Sequence, residues 1–123
     1  LNIALSYPNQ RSEFLSGGNQ QKVVISKWLA TKCKLLLCVD PTEGIDVKAR
    51  LEIYEIFNNI IKEGGSIILI SSDIDEVMKL SNRIIIIKEG RIFKTYLKDE
   101  ITKDKIFKTI TVKRNHGNKH NEF

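Results

Sequence analysis

Apolar positions change their spacing repeatedly along the chain, and each change predicts a new helix or strand. After the Gly-Gly pair at 17–18, apolar residues recur at four-residue spacing in two pairs: Val24 with Trp28, and Ile25 with Leu29. Because a helix brings such positions onto one face, this segment is predicted to be an amphipathic helix with Ser16 as its N-cap. We expect Trp28 to lie in the core.

Short uninterrupted apolar runs predict three strands, at Leu35–Val39, Ser66–Ser71 and Arg83–Lys88. The first two are typical of strands buried on both faces of a parallel sheet. Between them the pattern predicts a helix at Val47–Glu63, ended by two glycines. Its predicted apolar stripe consists of Val47, Leu51, Tyr54, Phe57, Ile60 and Ile61.

The rest of the chain continues the alternation. Asp73 is predicted to cap a short helix to Leu80, with Glu76 three residues on as in a capping box. Glu89-Gly90 predicts a hairpin turn into a strand at Arg91–Leu97, and Thr102 caps a last helix to about Ile110. This order predicts α/β architecture: a mostly parallel sheet, flanking helices and a C-terminal β-hairpin. We expect one domain at 1–110 and a polar, basic, disordered tail at 111–123.

Composition is that of an ordinary globular chain, with 123 residues, 41% hydrophobic and 28% charged. No apolar run approaches the roughly 18 residues that a membrane-spanning helix needs. The chain begins at Leu1 rather than Met, which hints at a piece of a longer protein. Its two cysteines, Cys33 and Cys38, are too few for a disulfide framework and have no metal-site spacing, so we expect them to pack in a reducing compartment.

The net charge of +5 lies entirely in residues 88–123, which hold ten Lys/Arg and five Asp/Glu. A basic region can indicate nucleic acid or an anionic membrane. Here the lysines alternate with Ile and Thr and lead into a polar end. This pattern favours a solvated face and a tail, with no nucleic-acid partner.

The glycine pair before the first predicted helix is a candidate anion site. Free N–H groups at a helix start, with the positive end of the helix dipole, favour a phosphate. Gly17 and Gly18 would let it approach the backbone, and Ser16 could add a hydroxyl donor. The alternative is a plain glycine-rich turn with a serine cap.

The longer string LSGGNQQKV, Leu15–Val23, resembles the signature motif of ABC-type ATPases. Its NQQKV part resembles the ATPase subunits of ribose/galactose-type monosaccharide importers. The segments VVISKWLA, DPTEGIDV, IILISSDIDEV and RIIIIKEGRI follow in the family's order, so that the resemblance runs from about Ser12 to Tyr96. The GIDV and ISS forms are similar to the second nucleotide-binding domain of the tandem subunit. The implied fold is the C-terminal part of a P-loop NTPase domain.

The resemblance assigns roles to this helix start. ABC domains pair head to tail, with ATP between the phosphate loop of one and the signature motif of the other. Ser16, Gly17 and Gly18 would thus contact the γ-phosphate of the partner's ATP, and Gln20 would help to position that segment. Asp46 matches a loop that couples the two ATP sites, although a carboxylate is also favourable at any helix start.

The end of the first strand departs from the family. Where the family has an Asp for Mg²⁺ and a Glu to polarise water, this chain has Val39 and Asp40. Valine cannot bind a metal, and Asp40 is one methylene short as a base. Alternatively, Asp40 is the metal residue in a shifted alignment, or a simple turn residue. Ser72 stands where most members have a γ-phosphate-contacting His; it could equally be a serine that precedes a helix cap.

Two family elements are absent: the GxxxxGK[ST] phosphate loop and the glutamine loop. We therefore expect the chain alone to be inactive and to hold no cofactor, with ATP and Mg²⁺ bound by the intact assembly. The implied function is that of a fragment of a sugar importer's ATPase subunit, peripheral to the cytoplasmic membrane face. Its expected partners are the first nucleotide-binding domain, the permease and, indirectly, a sugar-binding protein. The alternative is a non-catalytic remnant that docks on a full ATPase or permease.

Overall fold

Helices and strands follow one another in the predicted order. The structure is a computed structural model that describes residues 11, 13 and 15–112. Of the tail predicted at 111–123, Thr111 belongs to the last helix and Val112 caps it; residues 113–123 and most of the N-terminal segment lie outside the described residues. The elements are α1 (Gly17–Leu29), β1 (Leu35–Val39), α2 (Val47–Lys62), β2 (Ser66–Ile70), α3 (Ile74–Leu80), β3 (Arg83–Lys88), β4 (Arg91–Leu97), a 3₁₀ turn (Lys98–Glu100) and α4 (Lys103–Thr111). The chain divides into two units, one up to Leu80 and one from Ser81.

The first unit is built on a parallel pair of strands. β1 and β2 run side by side from Leu35↔Ser66 to Val39↔Ile70, and α2 makes the crossover that a parallel pair requires. The predicted α/β fold with a parallel sheet is confirmed. One face of the pair is covered by α1 and α2 in a core of Ile25, Leu36, Cys38, Ile53, Ile56, Phe57 and Ile60.

The opposite face of the β1–β2 pair is apolar and open. Because successive side chains of a strand alternate between faces, Leu36 and Cys38 are buried while their neighbours are not. The exposed fractions on this open sheet face are 54% for Leu35, 60% for Leu37, 61% for Val39, 49% for Ile68 and 51% for Ile70. Burial on both faces, expected from the sequence, is therefore not met within the described residues, where nothing covers this face.

The helical stripes differ from the predicted ones. Trp28 is 54% exposed, so its expected core position is wrong; α1 turns the other apolar pair, Ile25 and Leu29, toward the core. In α2 the buried stripe runs from Ala49 through Ile53 and Ile56 to Ile60, with Tyr54 buried beside it. Val47, Leu51 and Ile61 lie outside the core, because α2 carries two neighbouring apolar stripes and the packing with β1 selects one.

The second unit begins with the predicted hairpin. β3 and β4 pair antiparallel, and Glu89 and Gly90 at the turn have φ of 51° and 72°, the left-handed conformation that tight two-residue hairpin turns need. Thr102 caps α4 by accepting the N–H of Lys105. Among the described residues, no helix has the length and hydropathy required to cross a membrane.

Candidate functional site

The start of α1 is a capped and accessible helix N-terminus. The Ser16 hydroxyl accepts the N–H of Asn19 at 3.4 Å, as the sequence predicts. Ser16 and Gly17 are exposed, and the first turn of α1 carries no acidic residue. The Gln20 side chain donates from Nε2 to the carbonyl oxygen of Leu15 at 3.1 Å, which fixes the residue before the cap. An anion could therefore approach the positive end of this helix without meeting a carboxylate in its first turn.

The two glycines of this segment have different surroundings. Among the described residues, a Cβ on Gly17 would meet a methyl group of Ile45, at 3.6 Å, an ordinary van der Waals distance. A Cβ on Gly18 would lie 2.3 Å from the Cβ of Ala49 on α2, which is shorter than any real contact. Gly18 is buried, so it allows α1 and α2 to approach closely, whereas Gly17 is exposed.

We expect Gly18→Ala to destabilise the first unit by about 1–3 kcal/mol, the usual effect of overpacking a tight contact. Gly17→Ala is the matched control: it adds the same methyl group in the same helical turn, with room for it, and should leave stability unchanged or raise it slightly. Urea unfolding followed by circular dichroism measures both. Gly18→Ala combined with Ala49→Gly should recover part of the loss; equal effects of the two single variants would contradict the packing role.

The ends of β1 and β2 bring two predicted site residues together. Asp40 Oδ1 accepts the backbone N–H of Ser72 at 2.8 Å and its hydroxyl at 3.1 Å. Asp40 has a φ of 42°, a left-handed conformation that aspartate tolerates better than most residues. The carboxylate of Asp40 thus links the segments that follow the two strands.

This strand end offers few metal ligands among the described residues. Val39, which the resemblance places at the metal Asp, has no side-chain oxygen and lies on the open sheet face, 61% exposed. One oxygen of Asp40 already accepts two hydrogen bonds from Ser72. Across residues 15–112, moreover, no three His, Cys, Asp or Glu side chains are grouped so as to hold a metal ion.

Two further carboxylates cap helices. Asp46 accepts the N–H of Ala49 at 2.9 Å at the start of α2. Asp73 Oδ1 accepts the N–H groups of Asp75 and Glu76 at the start of α3, and its other oxygen binds Arg50 at 3.1 Å. The backbone hydrogen bond from Glu76, together with that from Asp75 and the charge of Arg50, lowers the pKa of Asp73. The cap predicted at Asp73 is thus present.

Glu76 does not complete the capping box that the sequence predicts. Its side chain is turned inward, with the residue only 2% exposed, and its two oxygens accept the hydroxyls of Thr42 at 2.5 Å and Ser71 at 2.6 Å. The N–H of Asp73 donates instead to the Ser71 hydroxyl at 3.1 Å. Sequence spacing identified Glu76 but not this role, because only the fold brings Thr42 near it.

Two buried side chains near Glu76, Tyr54 and Cys38, have raised pKa values. Burial raises the pKa of the Tyr54 hydroxyl, and the charge of Glu76 adds to the shift. Burial likewise raises the pKa of the Cys38 thiol, with smaller contributions from Cys33 and Glu76. Both side chains therefore stay neutral at physiological pH, in keeping with the packing role expected for Cys38.

A buried ion pair joins α1 to α2 and was not predicted. Lys22 is 6% exposed, and its Nζ lies 2.6 Å from Glu52 Oε2. The available signal was that Lys22 lies three residues before Ile25 and seven before Leu29, on the core face of α1, although a lysine is usually exposed. Removing Glu52 would take this carboxylate from the buried Lys22, whereas removing Lys22 would leave a Glu52 side chain that is 35% exposed.

Comparisons with known proteins agree with this geometry. No protein-family model matches the chain. Among curated proteins, the ribose import ATP-binding protein RbsA of Shouchella clausii is 42% identical over 111 residues, which are 90% of this chain and 22% of that protein. The xylose import ATP-binding protein XylG of Geobacillus kaustophilus is 50% identical over 97 residues, which are 79% of this chain and 19% of that protein. The chain thus spans about a fifth of the length of these relatives.

Solved structures give the same fold. An ATP-binding cassette, solved as a dimer in a post-hydrolysis state bound to ADP and Pi, matches with a TM-score of 0.68 and 26% identity, over 78% of this chain and 41% of that one. An inward-facing putative metal-chelate type ABC transporter matches with a TM-score of 0.72 and 17% identity, over 82% of this chain and 41% of that one. The fold of the ABC-type ATPase domain and the relationship to sugar-import ATP-binding subunits, both expected from the sequence, are confirmed for the segment that this chain spans.

Proposed function

We propose that this chain works as part of the ATP-binding subunit of a monosaccharide ABC importer. In this role the start of α1 contacts the γ-phosphate of ATP held by the partner nucleotide-binding domain. The observation that carries the proposal is the exposed N-terminus of α1, with Ser16 and Gly17 accessible and no acid in the first turn. The ribose and xylose import relatives support the sugar class but fix no single sugar.

Residues around this helix start serve the same contact. Gln20 holds the carbonyl of Leu15 and so orients the segment before the cap. Gly18 acts indirectly, by seating α1 against α2. Asp46, which caps α2, lies in the loop that carries the state of one ATP site to the other. The partners in this proposal are the first nucleotide-binding domain of the same subunit, the permease at the cytoplasmic face of the membrane and, indirectly, a sugar-binding protein.

The chain's own strand end is a degenerate half of a second ATP site. Val39 supplies no metal ligand, and Asp40 accepts two hydrogen bonds from Ser72. Binding and hydrolysis of ATP with Mg²⁺ therefore require the intact assembly. Hydrolysis at the other site, completed by Ser16 and Gly17, then drives sugar uptake. The same departure at Val39 also favours a second candidate function: a non-catalytic module that docks on a complete ATPase or permease.

The genomic DNA upstream of the codon for Leu1 distinguishes the two functions. The importer function predicts an open reading frame that continues upstream and encodes a GxxxxGK[ST] loop, because only such a loop can hold the phosphates of the chain's own site. A start codon at this boundary, with a stop codon in frame before it, would contradict the importer function and support the docking module. Direct sequencing of the locus and the mass of the expressed protein provide the measurement.

A further inference from the structure

A buried carboxylate ties together the two segments that follow β1 and β2. Glu76 and Thr42 are each only 2% exposed. One oxygen of Glu76 accepts the Thr42 hydroxyl at 2.5 Å, and the other accepts the Ser71 hydroxyl at 2.6 Å. The two hydroxyls come from segments 29 positions apart in sequence, so that a single side chain on α3 bridges them.

This bridge lies next to the hydrogen bonds of Asp40. Thr42 is two residues beyond Asp40, and Ser71 directly precedes Ser72, whose N–H and hydroxyl both donate to Asp40 Oδ1. The parallel register ends at Val39↔Ile70, and the backbone N–H of Asp40 still donates to the Ile70 carbonyl oxygen at 2.8 Å. Past Asp40 and Ile70, the side-chain contacts of Glu76 and Asp40 connect the two segments.

Loss of the carboxylate would act on the spacing rather than on the core. Without Glu76, the buried Thr42 hydroxyl loses the carboxylate to which it donates and keeps only its hydrogen bond with the Tyr54 hydroxyl among the contacts described for it. Because the loss of a buried acceptor is unfavourable, the segment around Thr42 would move toward water or toward a new partner. Either movement shifts the segment that contains Asp40. The Asp40–Ser72 hydrogen bonds would then open more often.

We propose that Glu76 is a positioning residue that sets the spacing between the ends of β1 and β2 and thereby maintains the hydrogen bonds of Asp40 to Ser72. Its relevance to the degenerate ATP half-site rests on the proposed function, in which Asp40 and Ser72 occupy the base and γ-phosphate positions of that half-site. The arrangement itself does not depend on that function. It can be tested in the 123-residue chain without nucleotide.

Site-resolved hydrogen exchange on the dilute chain provides the test. The reporter is the Ser72 amide, which donates to Asp40. The internal reference is the Ser66 amide, which donates to the Lys34 carbonyl at 2.9 Å, at the opposite end of the same two strands. The ratio of their protection factors separates a local change at the strand ends from a general loss of stability.

We expect Glu76→Ala to lower the protection of Ser72 relative to Ser66 by about tenfold, the order of effect of a lost buried hydrogen-bond acceptor. Glu76→Gln should keep the ratio within about twofold of the unsubstituted chain, because an amide has the same length and its oxygen and nitrogen can each pair with a hydroxyl. Ile60→Val, in the core at the far end of α2, is the control for stability. It should lower the protection factors of the Ser72 and Ser66 amides together.

Equal losses at Ser72 and Ser66 in Glu76→Ala would overturn the proposal, as would a Gln variant as damaging as the Ala variant. If Glu76→Ala does not fold, Thr42→Val and Thr42→Ser test the same hydrogen-bond bridge with smaller changes in side-chain volume. Thr42→Val removes one hydroxyl and should lower the ratio selectively, while Thr42→Ser keeps it and should not. An unchanged ratio in Thr42→Val would also refute the bridge.

Discussion

Ser16→Arg in the intact importer subunit that carries this segment is expected to reduce sugar uptake to the background of a strain without the subunit. The hydroxyl of Ser16 lies at the exposed start of α1, where the proposed γ-phosphate contact is made. An arginine there fills the space between the two domains and prevents the closed ATP sandwich. Uptake of labelled sugar and ATPase activity of the purified transporter measure the effect.

Two matched variants separate this loss from simpler causes. Ser16→Ala removes the cap, which is worth about 1 kcal/mol, but adds no bulk, so we expect partial activity. Asp40→Asn keeps the oxygen that accepts from Ser72 and alters only the charge; it should change uptake little, because its own site lacks the metal residue. Val39→Asp with Asp40→Glu should leave uptake similar or slightly higher. If Asp40→Asn proves as damaging as Ser16→Arg, the degenerate-site assignment is wrong.

The second large effect is expected at the open sheet face of the isolated chain. Leu37 and Ile68 are cross-strand neighbours on this face, and the unsubstituted chain should self-associate through it. Leu37→Thr with Ile68→Thr places a β-branched residue at both positions, which suits a strand, and removes apolar area. At about 25 cal/mol per Å² of apolar surface, we expect self-association to weaken by about tenfold or more, as measured by sedimentation equilibrium over a range of concentrations.

The control for this experiment is Ile61→Thr on α2. Ile61 and Ile68 have the same exposed fraction, 49%, but Ile61 lies off the sheet, so its substitution should leave association unchanged. Binding of a hydrophobic dye should fall in parallel with association in the double variant. A monomeric unsubstituted chain with a sharp cooperative melt and no dye binding would show that the open sheet face is not an association surface.

Local patterns predicted the elements well because local chemistry determines them. Ser16, Asp73 and Thr102 cap the helices that their spacing indicated, and Glu89-Gly90 makes the hairpin turn. These features depend on residues within four positions of one another. The motif order likewise identified the family, since each motif is contiguous in sequence.

Long-range packing was not accessible in the same way. Trp28 and Ile25 both belong to helical apolar pairs, and only the position of α2 and β1 decides that Ile25 is buried. Glu76 fits a capping box by spacing, yet its partner Thr42 lies 34 positions away. The same holds for Lys22 and Glu52, 30 positions apart. The tertiary fold brings buried polar groups to partners that are distant in sequence, so sequence spacing does not predict these pairs.

The close approach of Gly18 to Ala49 packs the first turn of α1 directly against the first turn of α2. Ala49 lies in the first turn of α2 and donates its N–H to Asp46, and Gly18 lies in the first turn of α1. With no side chain at Gly18 to act as a spacer, the two helices have little freedom to slide. The start of α2 at Asp46 and the first turn of α1 are therefore connected through one hydrogen bond and one packed methyl group.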